Sequence, residues 1–175
     1  MNTLLSEAYH SPQGYLWRVL PVEKFVALPA TVEVDNIVFA KKSEFHVTVA
    51  NARGIARAIG GQDIKMVAEV ETNLQKMLME YVHDAPIEMI HFENDFRLAV
   101  SPGRMSIAAR CVVTNLEGFF HRIKSEYGKD FPVQPPHVSL YTQNGAAVGI
   151  DSTEQMESFK KVELPVVQRV LGSAL

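Results

Sequence analysis

The sequence predicts an α+β fold built from two similar lobes. Two stretches, 64–82 and 116–127, place apolar residues at steps of three and four positions, which is the pattern of a helix with one buried face. The runs around them alternate apolar and polar residues, as strands with one buried face do. Each half supplies strands and one of these helices, so we expect two antiparallel sheets facing a central cleft, with helices packed outside.

The individual elements follow from local signals. Asp63 and Asn115 can cap the two helices, and Gly128 can end the second. Predicted strands lie at 15–20, 24–28, 31–39, 44–50, 87–93, 96–100, 104–114, 137–142 and 164–170. Residues 51–61 are predicted as a loop, and a third helix is predicted at 152–161.

Length and composition indicate one globular domain. The chain has 175 residues, of which 47% are hydrophobic and 21% charged, so residues 1–175 are expected to form a single two-lobed domain. Residues 1–14 are polar and end in a turn cluster, which predicts a peripheral arm. With Cys111 as its single cysteine, the chain has no internal disulfide.

Charge and hydropathy limit the expected partners. Residues 1–20 lack the basic start and apolar centre of a signal peptide, and no apolar run reaches the roughly 18 residues of a membrane span. We therefore expect a cytoplasmic monomer without membrane association. The net charge of −3 lacks the basic surplus that long duplex nucleic acid requires, so a small nucleotide or an RNA end is the expected partner.

Two four-residue segments carry the chemistry. They are His46-Val47-Thr48-Val49 and His137-Val138-Ser139-Leu140, hereafter the two tetrads. On a strand, residues i and i+2 share a face about 6–7 Å apart, so each histidine would share a face with its hydroxyl residue. Two imidazoles facing one cleft can act as general base and general acid near neutral pH, and two hydroxyls can donate to phosphate oxygens.

The two tetrads resemble the paired motifs of the two-histidine (2H) phosphoesterases, which include RNA 2′,5′ ligase-like proteins and 2′,3′-cyclic nucleotide phosphodiesterases. The resemblance covers the tetrads and the element order from about residue 24 onward. It implies a two-lobed sheet architecture with the active site between the lobes. It also implies His46 and His137 as the acid–base pair, Thr48 and Ser139 as phosphate-binding residues, and no metal or cofactor. Ser139 stands where threonine is commoner in the family.

The resemblance further implies hydrolysis of a small nucleotide-type phosphodiester, with a 2′,3′-cyclic phosphate as the first expectation. Three alternatives stay open at this point. The same residues suit a phosphodiesterase for linear or cyclic 2′,5′-linked oligonucleotides, or an RNA-end ligase. The chain can also be a non-catalytic module that binds nucleotides or RNA ends, or a structural domain in which the tetrads are coincidental.

Further residues have both a functional and an ordinary interpretation. Tyr141 shares the predicted face of His137 and can stack on a base, bond a phosphate or simply pack at the cleft edge. Arg110, on the polar side of its strand, can bind a phosphate bidentately or face solvent. Lys41 and Lys42 are predicted to lie in an exposed loop. The sequence contains no His-Glu-x-x-His motif and no paired cysteines, so no metal site is predicted.

Overall fold

The computed structural model describes Tyr9 and residues 14–173, and this part of the chain has a mixed α+β fold. It contains eight strands, five α-helices and one 3-10 helix, Val22–Phe25. The strands are β1 (Leu16–Leu20), β2 (Thr31–Val34), β3 (Ile37–Lys41), β4 (Phe45–Ala50), β5 (Met89–Ser101), β6 (Arg104–Val113), β7 (His137–Thr142) and β8 (Lys160–Val162). The helices are α1 (Ala52–Gly60), α2 (Ile64–Asp84), α3 (Leu116–Tyr127), α4 (Thr153–Ser158) and α5 (Pro165–Ser173).

The strands are joined in one antiparallel sheet, whereas the sequence predicted two separate sheets. The main path runs β1-β4-β7-β6-β5-β8, and β2 pairs with β3, which in turn pairs with β7. One edge of β7 therefore bonds to β6, while β3 and β4 share the other edge. This arrangement places both tetrads on neighbouring strands.

The chain divides into two compact units. Unit 1 consists of Met1–Val19, Thr48–Glu88 and Val113–Gln134, and unit 2 consists of Leu20–Val47, Met89–Val112 and Pro135–Leu175. The division falls within β4, between Val47 and Thr48. The predicted peripheral arm, 1–14, lies outside the described residues except for Tyr9 and Gly14. Tyr9 is buried in unit 1, where its hydroxyl donates to the carbonyl of Ile87 at 3.2 Å.

Unit 1 is organised around helices that bury one apolar face. The backbone N–H groups of Lys65 and Met66 donate to the carboxylate of Asp63, which caps α2 as predicted. Gly128 ends α3 with a φ of 65°, a conformation that glycine adopts without strain. The core includes buried side chains from both helices, among them Val70, Leu74, Leu78, Leu116, Phe119 and Ile123.

Unit 2 contains a separate set of apolar contacts. The rings of Phe25 and Phe45 are stacked with centroids 3.9 Å apart, and Phe92 meets Phe25 edge-on at 6.1 Å. A second cluster joins β5 and β6 to the segment that leads into α4 and consists of Ala99, Ala108, Val148, Ile150 and Met156. Phe45 immediately precedes His46 in β4, so the first set of contacts packs against the strand that carries this histidine.

Several predicted elements are wrong, each for a local reason. The predicted loop 51–61 contains α1, because the side chain of Asn51 caps it and Ile55 packs into the core. The predicted strand 31–39 is a hairpin, since Asp35 and Asn36 both adopt positive φ in the turn between β2 and β3. Three other strand predictions also differ from the structure. The predicted strand 24–28 includes the end of a 3-10 helix, and the predicted strands 87–93 and 96–100 are parts of the single strand β5. The predicted strand 164–170 is the helix α5.

Gly118 gives a test of packing in unit 1. A Cβ at this position in α3 would clash with the hydroxyl of Tyr81, which donates to the carbonyl of Asn115 at 2.8 Å. We expect Gly118→Ala to lower the free energy of unfolding by about 1–2 kcal/mol, because the clash and the disturbed hydrogen bond outweigh the helix propensity of alanine. Urea denaturation measures the change.

Gly172 is the matched control for this substitution. It lies in α5, it is exposed, and a Cβ there meets nothing within 4 Å. Gly172→Ala is therefore expected to raise the free energy of unfolding by up to about 1 kcal/mol. Equal effects of the two substitutions would contradict the packing of Tyr81 against α3.

Candidate functional site

The structure brings His46 and His137 together within unit 2, on neighbouring strands. Val47 of β4 pairs with Val138 of β7, and both valines are fully buried on one face of the sheet. Because side chains alternate along a strand, His46, His137 and Ser139 share the opposite face. Continuing the register by one residue places His46 opposite Ser139 and diagonal to His137, and such diagonal neighbours lie about 7–8 Å apart.

Pro135 orients the ring of His137. The imidazole is only 4% exposed, and its Nδ1 lies 2.7 Å from the carbonyl oxygen of Pro135. A carbonyl can only accept a hydrogen bond, so Nδ1 must carry the proton. Nε2 is consequently the nitrogen of His137 that can exchange a proton with a bound substrate.

Burial keeps both imidazoles uncharged at neutral pH. Together with smaller contributions from the nearby charges of Lys42 and His137, burial lowers the pKa of His46 to about 3. Burial also lowers the pKa of His137, with a smaller contribution in the same direction from Lys42. The Pro135 carbonyl and the Asp151 carboxylate oppose this shift, so the environment of His137 contains groups that favour its charged form.

Lys42 is a charged neighbour of both histidines that the sequence pattern does not identify. It lies in the connection between β3 and β4, is half-buried rather than exposed, and donates its backbone N–H to the carbonyl of Leu140 at 3.0 Å. Burial lowers the pKa of its ammonium group, which Glu44 partly offsets. The two consecutive lysines before the first tetrad were the available signal, but the approach of this connection to β7 is a long-range contact.

The two hydroxyl residues of the tetrads have different positions. Ser139 is 7% exposed and shares the face of both histidines in unit 2. Thr48 is half-buried and lies two residues after His46 on the same side of β4, in the part of the strand assigned to unit 1. Their phosphate-binding roles stay predictions.

Tyr141 and Arg110, the two further predicted binding residues, have protein partners. Tyr141 is 0% exposed and its hydroxyl donates to the carbonyl of Pro29 at 3.2 Å, while burial raises its pKa to about 12. It therefore packs in the sheet rather than presenting a face to a ligand. Arg110 lies opposite His137 in the pairing of β6 with β7, but its guanidinium is 3.2 Å from Glu93 and 3.6 Å from Asp95. These carboxylates already engage the charge that the prediction assigned to a phosphate.

Within Tyr9 and residues 14–173, no group of three or more His, Cys, Asp or Glu side chains is placed to hold a metal ion. No helix in that part of the chain has the length and apolar character needed to cross a bilayer.

Comparison of the chain with protein-family models, with curated proteins and with solved structures finds no match. The resemblance to the two-histidine phosphoesterases therefore rests on the tetrads and the element order. The fold and the site define a mixed α+β protein with two histidines on one face of an antiparallel sheet, next to a lysine. His137 is buried and His46 is half-buried.

The low pKa of His46 predicts a loss of stability in acid. In the unfolded chain a histidine takes up a proton below about pH 6.5, whereas folded His46 stays neutral down to about pH 3. Between these values the unfolded state binds more protons, so stability falls as pH falls, by about 2 kcal/mol from His46 at pH 5. Urea denaturation at pH 7.5 and pH 5.0 tests this in wild type and His46→Gln.

Comparison with His46→Gln separates the contribution of His46 to the loss of stability from the effect of acid on the other titratable groups. His46→Gln cannot titrate, so it should lose less stability than wild type over the same pH interval. His91→Gln replaces an exposed histidine of β5 and should behave as wild type. Identical pH dependence in wild type and His46→Gln would show that His46 is not held neutral by the fold.

Proposed function

We propose that the protein is a metal-independent phosphodiesterase of the two-histidine type, which hydrolyses a small nucleotide-type phosphodiester such as a 2′,3′-cyclic phosphate. The observation that carries the proposal is the position of His46 and His137 on one face of neighbouring strands, close enough for His137 to affect the pKa of His46. The division of the chain into two compact units supports a two-lobed fold.

The reaction needs one proton acceptor and one proton donor. Water attacks phosphorus opposite the departing ribose oxygen, a base takes the proton of the water, and an acid protonates the ribose oxygen as its bond to phosphorus breaks. The product is a phosphomonoester. Each proton transfer by a positioned imidazole contributes about 10²–10⁴ in rate. The hydroxyls of Thr48 and Ser139 would donate to the other phosphate oxygens as negative charge develops on them.

The surroundings of the two rings favour one assignment of these roles. After burial, the influences on His46 are Lys42 and His137, which both disfavour an imidazolium. The Pro135 carbonyl and Asp151 favour the imidazolium of His137. We therefore assign His46 as the base that accepts the proton of water and His137 as the acid that protonates the leaving oxygen from Nε2.

Binding of the substrate would allow one imidazole to take up the proton that the general acid needs. Both imidazoles are neutral in the protein without ligand, because burial lowers the pKa of each below its ordinary value. A phosphodiester anion placed between them stabilises an imidazolium and raises its pKa. Substrate binding should therefore be accompanied by proton uptake, which makes binding tighter as the pH falls towards the pKa of the complex.

A panel of substrates tests the proposal. EDTA-treated protein is incubated with 2′,3′-cyclic, 2′,5′-linked and 3′,5′-linked nucleotides, and the end groups of the products are determined. Turnover of the 2′,3′-cyclic nucleotides without added metal supports the proposed reaction. Exclusive cleavage of 2′,5′-linked oligonucleotides, or joining of RNA ends, would replace the proposed substrate class. Calorimetric binding without product from any substrate would instead identify a binding module.

A further inference from the structure

The connection between β3 and β4 brings a cation to the histidine pair. Both strands bond to the same edge of β7, and residues 42–44 span the gap between them. The bond from the Lys42 N–H to the Leu140 carbonyl fixes this connection beside the residue that follows Ser139. Lys42 is thus tied to β7 next to the second tetrad and lies four residues before His46 in the chain.

The two lysines of this segment have different surroundings. Lys41 turns its ammonium group to three backbone carbonyls, those of Phe25, Val26 and Leu28, at 3.1–3.4 Å, and so stabilises the preceding segment. Lys42 is half-buried, and its charge reaches both imidazoles. The charged groups that act on the two imidazoles are Lys42 and Asp151. Glu44 acts on Lys42, and Arg110, opposite His137 in the pairing of β6 with β7, lies against Glu93 and Asp95.

We propose that Lys42 is the fixed positive charge of an anion subsite, formed with His46 and His137, that holds the phosphate group of the ligand. Two neutral imidazoles provide hydrogen bonds but no net charge, so an anion entering the site needs a cation nearby to offset its desolvation. Arg110 already lies within ion-pair distance of Glu93 and Asp95. The inference deepens the proposed function and depends on it for the identity of the ligand, although the anion subsite can be tested by itself.

The physical consequence is a coupling between the lysine and the two rings. The ammonium group of Lys42 makes protonation of the imidazoles unfavourable while the site is empty. An anion between the three groups reverses this effect, because its negative charge favours a cation at every one of them. Lys42 would therefore bind the phosphate and also add to the effect of burial, which keeps the histidines uncharged before the phosphate arrives.

The test combines phosphate binding with titration of the histidine rings. Inorganic phosphate binding is measured by calorimetry, and the ring titrations by NMR, in wild type, Lys42→Met, Lys42→Arg and Lys161→Met. Methionine keeps the length of the side chain and removes the charge, arginine keeps the charge, and Lys161 is an exposed lysine of β8 in the same unit. Thermal unfolding checks that each variant is folded.

Lys42→Met should weaken phosphate binding about tenfold or more and raise the pKa of His46. Lys42→Arg should restore most of the affinity, and Lys161→Met should resemble wild type in both measurements. Unchanged phosphate affinity and unchanged His46 titration in folded Lys42→Met would overturn the proposal. If phosphate binding depends on Lys42 but no phosphodiester is hydrolysed, the subsite stands and the proposed function fails. If Lys42→Met changes neither the turnover nor the phosphate affinity, only the proposed role of the lysine is refuted.

Discussion

His46→Ala and His137→Ala are each expected to lower kcat/KM for hydrolysis of 2′,3′-cyclic nucleotides by at least about 10³-fold. Each variant removes one of two proton transfers that occur in the same transition state, and each also loses a ring that contacts the developing charge. Because the two groups act as a unit, the double variant should be little slower than either single variant. Initial rates under kcat/KM conditions measure all three.

The control must separate chemistry from folding. His121 and His83 are exposed histidines of unit 1, and their alanine variants should retain wild-type rates. Since His137 is buried, His137→Gln serves as a second variant that keeps a polar side chain of similar size and an amide donor. A folded His137→Gln with wild-type turnover would remove His137 from the reaction.

A substrate with a better leaving group should rescue the His137 variants but not the His46 variants. A nitrophenolate leaves as a stable anion near neutral pH, so its departure needs no general acid. For a nitrophenyl phosphodiester, the loss of rate in His137→Gln should shrink to about tenfold or less, whereas His46→Gln should keep a loss of about 10²-fold or more because water still needs a base.

Because each variant is compared on the cyclic nucleotide and on the nitrophenyl ester, the predicted rescue does not depend on the absolute rates. Wild type, His46→Gln and His137→Gln are each measured with the cyclic nucleotide and with the nitrophenyl ester. The opposite pattern, with rescue of His46→Gln alone, would exchange the two roles that Pro135 and Asp151 suggest. Equal rescue of both variants would indicate that neither ring is dedicated to the leaving group.

The parts of the fold that the sequence predicted well are those with strong local periodicity. The helices over 64–82 and 116–127 and the strands over 44–50 and 137–142 were found close to their observed bounds. In each case the apolar positions repeat with one period. Asp63 caps the first helix and Gly128 ends the second as predicted, whereas the side chain of Asn115 makes no capping hydrogen bond and donates to the carbonyl of Pro86 instead. The alternation in the two tetrads also predicted the face on which His46 and His137 lie.

The remaining features depend on contacts between distant parts of the chain. Tyr141 has the same position in the strand pattern as a ligand-facing residue, but the segment that contains Pro29 accepts its hydrogen bond. The pairing of Arg110 with Glu93 requires β5 and β6 to be neighbours. Lys42 is half-buried in a connection whose backbone bonds to β7, which is distant in the sequence. No local pattern distinguishes these side chains from exposed ones, because contact with a distant segment does not change the periodicity of the local sequence.

Local sequence signals also gave wrong predictions for short helices that contain glycine or begin with proline. Gly54 and Gly60 favoured a loop over 51–61, but the cap at Asn51 and the burial of Ile55 outweigh the cost of the glycines in α1. The predicted strand over 164–170 includes Pro165, but proline is common at the first position of a helix, and α5 begins at this residue.

The central place of β7 determines how the site would respond to fluctuations of the protein. All six of its residues are buried, and neighbouring strands bond to both of its edges. Backbone amides in such a strand exchange with solvent hydrogen mainly through opening of a large part of the structure. The orientation of His137 should therefore persist through the local openings that release loops and helix ends, and it should be lost only together with the sheet.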